Sequence, residues 1–259
     1  MIATMPADRW FRRFGKPVDA QRRLVCFHHA GGGASLFRDW HGSFPADTEV
    51  LAAAIPGRET RIAEAPLTEL RMLAAALVEV LPLELPFAFF GHSLGGVVSF
   101  ELARQLHQRG LPIPQHLFVS ACPAPHLCRR ETSRAQMSDE ELLRLLEGFG
   151  GTPREILAHP EFRQMVLTTL RADFNLIDEY AVPADCDVRF PMTAYAGRED
   201  HHVRREKILA WERWAEPGFV CQPFDGDHFY LTRQREALIG HLLGRWDRNL
   251  RPQERLLPR

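Results

Sequence analysis

The chain is poor in the features that mark exported, membrane-spanning or nucleic-acid-binding proteins. It holds only five cysteines in 259 residues, Cys26, Cys122, Cys128, Cys186 and Cys221, and none forms a C-x-x-C pair. An odd, scattered set excludes a disulfide framework and points to reduced thiols in a cytoplasmic protein. No apolar run approaches the ~18–20 residues that a membrane helix needs. The opening stretch, MIATMPADRWFRRFGK, has no apolar core and no small-residue cleavage site, so export is not expected. Charge of neither sign dominates: Lys and Arg number 32 against 33 Asp and Glu. That balance lacks the broad basic footprint duplex nucleic acid requires. No G-x-G-x-x-G stretch and no Gly-Lys-Ser/Thr loop occurs, which argues against dinucleotide or P-loop phosphate binding.

What is present is an ordinary globular composition, 45% hydrophobic and 25% charged. A chain of this length buries roughly 70–75% of its unfolded surface, enough for a core without disulfides. There is no internal repeat, low-complexity tract or dividing linker, so one domain over residues 1–259 is expected, as a monomer.

Short apolar runs recur between turn residues. Leu24–Phe27, Val50–Ile55, Phe87–Phe90, Leu117–Ser120, Met192–Ala196 and Phe219–Phe224 read as buried strands. Most lack alternation, the mark of a parallel sheet covered on both faces. Helical spacing appears between them at Leu67–Leu81, Val97–Leu106, Val203–Trp214 and Glu236–Trp246. Strands alternating with helices imply an α/β fold with a mostly parallel central sheet. The N-terminal aromatics Trp10, Phe11 and Phe14 read as an arm packed on the domain, in preference to a membrane-surface segment.

About seventy residues separate Ser120 from Met192, too many for a plain crossover or an unstructured loop. Ser138-Asp-Glu-Glu141 fits a capping box, Thr152-Pro153 a helix start, and Phe162–Tyr180 a long amphipathic helix. Residues 123–183 therefore read as a helical lid over the carboxyl ends of the strands.

The chemistry centres on Gly91-His92-Ser93-Leu94-Gly95, a G-x-S-x-G pentapeptide between an apolar strand and a helical pattern. The pattern resembles the nucleophile elbow of the α/β-hydrolase fold, in which order along the chain runs Ser, Asp or Glu, His. A serine hydroxyl is a weak nucleophile at neutral pH and needs a base. Of 12 histidines, His228 in Phe224-Asp-Gly-Asp-His-Phe229 has the required place, after the last strand and before the last helix. His92 adjoins the serine, but its side chain should point elsewhere. The acid should follow Met192–Ala196, where Asp200 is the first choice and Glu199 the second. Its role is to accept from the imidazole Nδ1–H and stabilise the imidazolium. Asp225 and Asp227 read as turn-shaping residues. The oxyanion needs two backbone donors: the N–H of Leu94, and one from His28-His29-Ala30-Gly31-Gly32-Gly33, assigned to Ala30. A His28/His29 metal site lacks further ligands at suitable spacing, and no metal or cofactor is expected.

With those residues in place, nearly the whole chain resembles the stand-alone (type II) thioesterases of non-ribosomal peptide and polyketide assembly lines. The resemblance rests on Cys26–Ser35, Ile55-Pro-Gly-Arg-Glu-Thr-Arg61, Gly91–Gly96, the lid-helix segment Leu170–Tyr180, and Gly226-Asp-His-Phe229. Two departures, His28 for proline and Gly33 for serine, leave Ala30 intact. The resemblance implies removal of acyl, aminoacyl or acetyl groups from the phosphopantetheine arm of carrier protein domains, an editing task. Carriers in such systems are acidic, and Arg58, Arg61, Arg129, Arg130 and Arg134 are candidates to meet one. The competing readings are a small-molecule carboxylesterase or lipase of the same fold, and a catalytically silent docking subunit. The second is disfavoured because Ser93, Asp200 and His228 are all present.

Overall fold

The computed structural model describes residues 7–149, apart from 16 and 18, and residues 159–250. Seven strands among them form one sheet: β1 (Phe11–Arg13), β2 (Arg22–Phe27), β3 (Thr48–Ala53), β4 (Phe87–His92), β5 (Leu117–Ser120), β6 (Met192–Gly197) and β7 (Val220–Phe224). The order is β1-β3-β2-β4-β5-β6-β7, with β1 antiparallel to β3 and every other pair parallel. This is the mostly parallel sheet that the apolar runs imply, in the α/β-hydrolase arrangement that the elbow motif resembles.

The strands lack alternation because both faces are covered. Along β2, Val25 and Phe27 pack with Leu73 and Leu77 of the helix Leu70–Val80 and with Val97 and Val98 of the helix Leu94–Gln108. Their neighbours Leu24 and Cys26 point the other way, into a second core with Phe37, Trp40 and Leu238 and Leu242 of the helix Arg235–Leu250. Fully burying each Leu or Phe contributes about 1.5–3 kcal/mol.

Two local differences from the sequence reading have simple causes. The N-terminal arm does pack its aromatics, with Trp10 and Phe11 buried, but it also pairs as β1 along Leu51–Ala53. Three residues are too few to show a period. The helix expected over 203–214 is an α-helix at Arg205–Leu209 followed by a 3₁₀ turn at Ala210–Trp214, which seats Trp211 and Trp214 in the core.

Between β5 and β6 lie the helices Asp139–Phe149 and Pro160–Asp178. The capping box forms: Ser138 Oγ accepts the Glu141 N–H at 3.3 Å, and Glu141 Oε2 accepts the Ser138 N–H at 2.8 Å. Thr152-Pro153 lies outside the described residues. Leu142 and Leu146 pack on Leu167, Leu170 and Phe174, giving the lid a small core of its own. Among the ties that bind it to the body, the Tyr180 hydroxyl donates to Glu101 Oε2 at 2.7 Å, and Thr169 Oγ1 donates to the Gly57 carbonyl at 2.9 Å.

Candidate active site

β4 passes into the helix Leu94–Gln108 through one residue, Ser93. Ser93 has φ 54° and ψ −117°, a conformation that L-residues rarely adopt. Its N–H donates to the Ser120 carbonyl at 2.8 Å, and its carbonyl accepts the Gly96 N–H at 2.9 Å. A Cβ on Gly91 would collide with the Gly95 carbonyl, and one on Gly95 with the Phe27 carbonyl. The elbow therefore closes only with glycine at both positions. Ser93 lines a chamber of about 640 Å³. Leu94 opens the helix, so its N–H has no partner within that helix.

The loops after β6 and β7 cross closely. Glu199 N–H donates to the Gly226 carbonyl at 3.0 Å, and a Cβ on Gly197 would strike the Asp227 carbonyl. This crossing brings His228 Nδ1 to 2.8 Å from Asp200 Oδ2, with side-chain exposures of 3% and 0%. The other oxygen, Asp200 Oδ1, accepts the N–H groups of His202 and Val203 at 2.8 and 3.0 Å. Burial acts to raise the Asp200 pKa, but the hydrogen bond and charge of His228 and the two backbone donors outweigh it. The carboxyl is held below its ordinary value. Glu199 is exposed. Asp227 Oδ1 accepts the Phe229 N–H at 2.8 Å and Asp225 pairs with exposed Arg198, so both serve the turn. His228 faces the same chamber as Ser93.

His92 points away from the chamber, as expected. Its Nδ1 meets Ser120 Oγ at 2.9 Å, and that hydroxyl contacts the Tyr230 hydroxyl at 2.6 Å. Burial pushes the His92 pKa well down, and its ring lies 5.3 Å from that of His228 between centroids. Burial likewise lowers His28 to about 4. Its Nδ1 is 2.8 Å from the His29 carbonyl.

Ala30 lies on the chamber wall in a tight turn. Gly32 N–H donates to the His29 carbonyl at 3.0 Å, and Gly31 has φ +76°. The Glu59 carboxylate caps the next segment, accepting from the Ala34 and Ser35 N–H groups at 3.1 and 3.0 Å and from the Ser35 hydroxyl. Apolar lid residues, among them Leu146, Phe162, Leu170 and Phe174, form the roof of the chamber. Phe149 reaches the His–Asp pair, its ring stacked on His202 at 3.9 Å and 5.0 Å from that of His228 between centroids.

Two of the five candidate docking arginines are not on an accessible surface. Arg58 is 6% exposed and bound to Asp173, and Arg61 is 4% exposed and bound to Glu64 and the Ala54 carbonyl. Each guanidinium already has an internal partner, so neither is free to meet a carrier. Arg134 is held by Asp178 at 2.7 Å over the Phe174 ring. Arg129 and Arg130 are exposed at the chamber rim.

The fold and the arrangement around Ser93 are those of the α/β-hydrolase class. A family model described as a thioesterase domain matches residues 22–245. GrsT, the gramicidin S biosynthesis protein of Aneurinibacillus migulanus, is 37% identical over 234 residues, 90% of this chain and 91% of GrsT. Among solved structures, RedJ, a thioesterase from the prodiginine biosynthetic pathway in Streptomyces coelicolor, matches with a TM-score of 0.82 at 31% identity. That match covers 89% of this chain and 92% of RedJ. YbtT, a type II thioesterase from the yersiniabactin NRPS/PKS pathway, matches with a TM-score of 0.82 at 30% identity, over 93% of this chain and 99% of YbtT. The chain belongs to the thioesterase family, as a type II thioesterase of the non-ribosomal peptide and polyketide kind, and is a thioester hydrolase.

The sequence reading passed over Asp173. A signal for it exists: Leu170, Asp173, Phe174 and Ile177 follow helical spacing, so an acid stands within an apolar stripe. A carboxylate there must find a buried partner.

Proposed function

We propose that this enzyme frees carrier domains from misprimed or stalled acyl and aminoacyl groups by hydrolysing the phosphopantetheine thioester. Ser93 is the nucleophile, His228 the general base, and Asp200 the group that orients it. The Ala30 and Leu94 N–H groups stabilise the oxyanion. One observation carries the reading: a buried His228–Asp200 pair at 2.8 Å opens onto the same lidded chamber as Ser93, which stands at a helix N-terminus in a strained conformation.

The steps follow from these groups. With Nδ1 engaged by Asp200, Nε2 of His228 takes the Ser93 proton as Oγ attacks the thioester carbonyl. The oxyanion is met by two fixed N–H donors, each of which contributes roughly 10²–10³ in rate. The C–S bond breaks, and the imidazolium returns its proton to the departing thiolate. Water, activated by the same imidazole, then adds to the Ser93 ester, and the carboxylic acid leaves. Each proton taken is given back, and no redox partner is needed. A thiolate leaves readily, so the second half-reaction limits turnover. A burst of thiol before steady release is expected, and linear release from time zero would contradict that order.

The carrier approaches the rim where Arg129 and Arg130 are exposed, in the cytoplasm. No helix among the described residues is long and apolar enough to cross a membrane. The decisive experiment is intact-mass spectrometry of acyl-loaded carrier domains after incubation with the wild type and with Ser93→Ala. Unloading by the wild type alone supports the reading. Unloading by both, or a strong preference for simple oxygen esters over carrier-bound thioesters, would favour a carboxylesterase instead.

A further inference from the structure

The loop after β2 and the lid helix Pro160–Asp178 meet at one carboxylate. Asp173 takes both terminal nitrogens of Arg58, Nη1 on Oδ2 and Nη2 on Oδ1, each at 2.7 Å. Oδ2 also accepts the Gly31 N–H at 2.7 Å, and Arg58 Nη1 donates to the Gly32 carbonyl at 3.3 Å. A single ion pair thus holds a donor and an acceptor of the turn that carries Ala30.

Turns of types I and II differ by a half-turn of their central peptide. The positive φ of Gly31 is the type II form. Rotating the Ala30–Gly31 peptide by half a turn leads towards the type I form and aims a carbonyl at the Asp173 carboxylate. Two acceptors facing one another in a buried site repel, so the carboxylate selects the observed state. Arg58 in turn fixes the carboxylate, because a bidentate pair sets orientation as well as distance. A buried ion pair is a weak source of net stability, since desolvation offsets the attraction. A charged acceptor aimed at one backbone N–H is a strong orienting contact.

We infer that Arg58 and Asp173 are positioning residues for the oxyanion site: their ion pair anchors the Gly31 N–H and the Gly32 carbonyl, and through them the place of Ala30 and its own N–H, and does so from the lid, so that the loop and the lid helix act as one unit. The inference rests on the role proposed above for Ser93 and Ala30. It also separates the P-G-R-E segment from carrier docking, because Arg58 is turned inward.

The test compares wild type, Arg58→Lys, Asp173→Asn and Tyr180→Phe on a small acyl thioester of N-acetylcysteamine. Tyr180→Phe removes another buried tie of the lid without touching the turn. Two inhibitors separate the roles. An alkyl trifluoromethyl ketone forms a serine adduct bearing an oxyanion, and the matching alkyl thioether binds with none. In Arg58→Lys and Asp173→Asn, kcat should fall about 10- to 100-fold, less than for loss of a whole donor. Affinity for the ketone should fall in step, while affinity for the thioether stays within twofold. Tyr180→Phe should lower the melting temperature and leave the ketone-to-thioether ratio at the wild-type value. All measurements are taken below each variant's unfolding transition, and Arg58→Lys carries the test if Asp173→Asn does not fold. Equal losses for both inhibitors, or an unchanged kcat in a folded variant, would overturn the inference while leaving the proposed function standing. An active Ser93→Ala enzyme would instead remove the proposed function, and this inference with it.

Discussion

Replacing Asp200 with Asn isolates the electrostatic part of the His–Asp pair. The side chain keeps its shape, but the surroundings dictate how the amide must turn. Asp200 Oδ1 sits between the His202 and Val203 N–H groups, at 2.8 and 3.0 Å. Both are donors, so the Asn oxygen must occupy that site and the amide nitrogen must face His228. An N–H aimed at Nδ1 makes that ring nitrogen an acceptor and moves the ring proton to Nε2, the atom proposed to receive the Ser93 proton. The base is thus present in the wrong tautomer, and the later imidazolium has no counter-charge. Such a change lowers kcat by ~10⁴, or about 5 kcal/mol of transition-state stabilisation at 1.36 kcal/mol per tenfold. The assay is steady-state thiol release from carrier-bound acyl substrate, with affinity for the alkyl thioether as the measure of binding. Affinity should stay near wild type, because the side chain is buried behind His228. The companion variant Glu199→Gln should keep near-normal kcat, since Glu199 is exposed. A kcat for Asp200→Asn within tenfold of wild type, or a large loss in Glu199→Gln instead, would refute the assignment.

Other perturbations test different parts of the molecule. His28, His92 and His116 are buried and held below their ordinary pKa, His28 to about 4 and His116 to about 3, chiefly by burial. The unfolded chain binds these protons near pH 6.5 and the folded chain does not. Stability therefore falls as pH drops from 6.5 towards 4, by up to about 1.4 kcal/mol per pH unit for each ring. Melting temperatures that stay flat between pH 7 and 5 would contradict this. Gly95→Ala should lose folded protein, because its Cβ meets the Phe27 carbonyl on a central strand; normal soluble yield with an unchanged melting temperature would count against the elbow geometry. Arg129→Glu with Arg130→Glu should raise KM for carrier-bound substrate about tenfold or more and leave the N-acetylcysteamine thioester unaffected. Equal effects on both substrates would place these arginines outside carrier docking.

Most of the sheet was legible in the sequence because burial on both faces leaves uninterrupted apolar runs, and the elbow was legible because a strand-to-helix turn so sharp demands glycine at both flanks. The proposed order Ser93, Asp200, His228 rests on where those residues stand relative to strands and helices. The sequence preferred Asp200 over Glu199 by position alone; the crossing of two loops turns Asp200 onto His228 and leaves Glu199 exposed, a difference invisible between adjacent carboxylates in the sequence. β1 was hidden by its length, and Arg58 and Arg61 by their charge. A cation in a sequence reads as surface until its partner is known, and Asp173 lies 115 residues further along the chain. Local pattern thus determined which segments are strands, helices and turns, since it depends on spacing and turn chemistry within a few residues. Only the tertiary structure decided which charges are buried together, because pairing is set by contacts between segments remote in the chain.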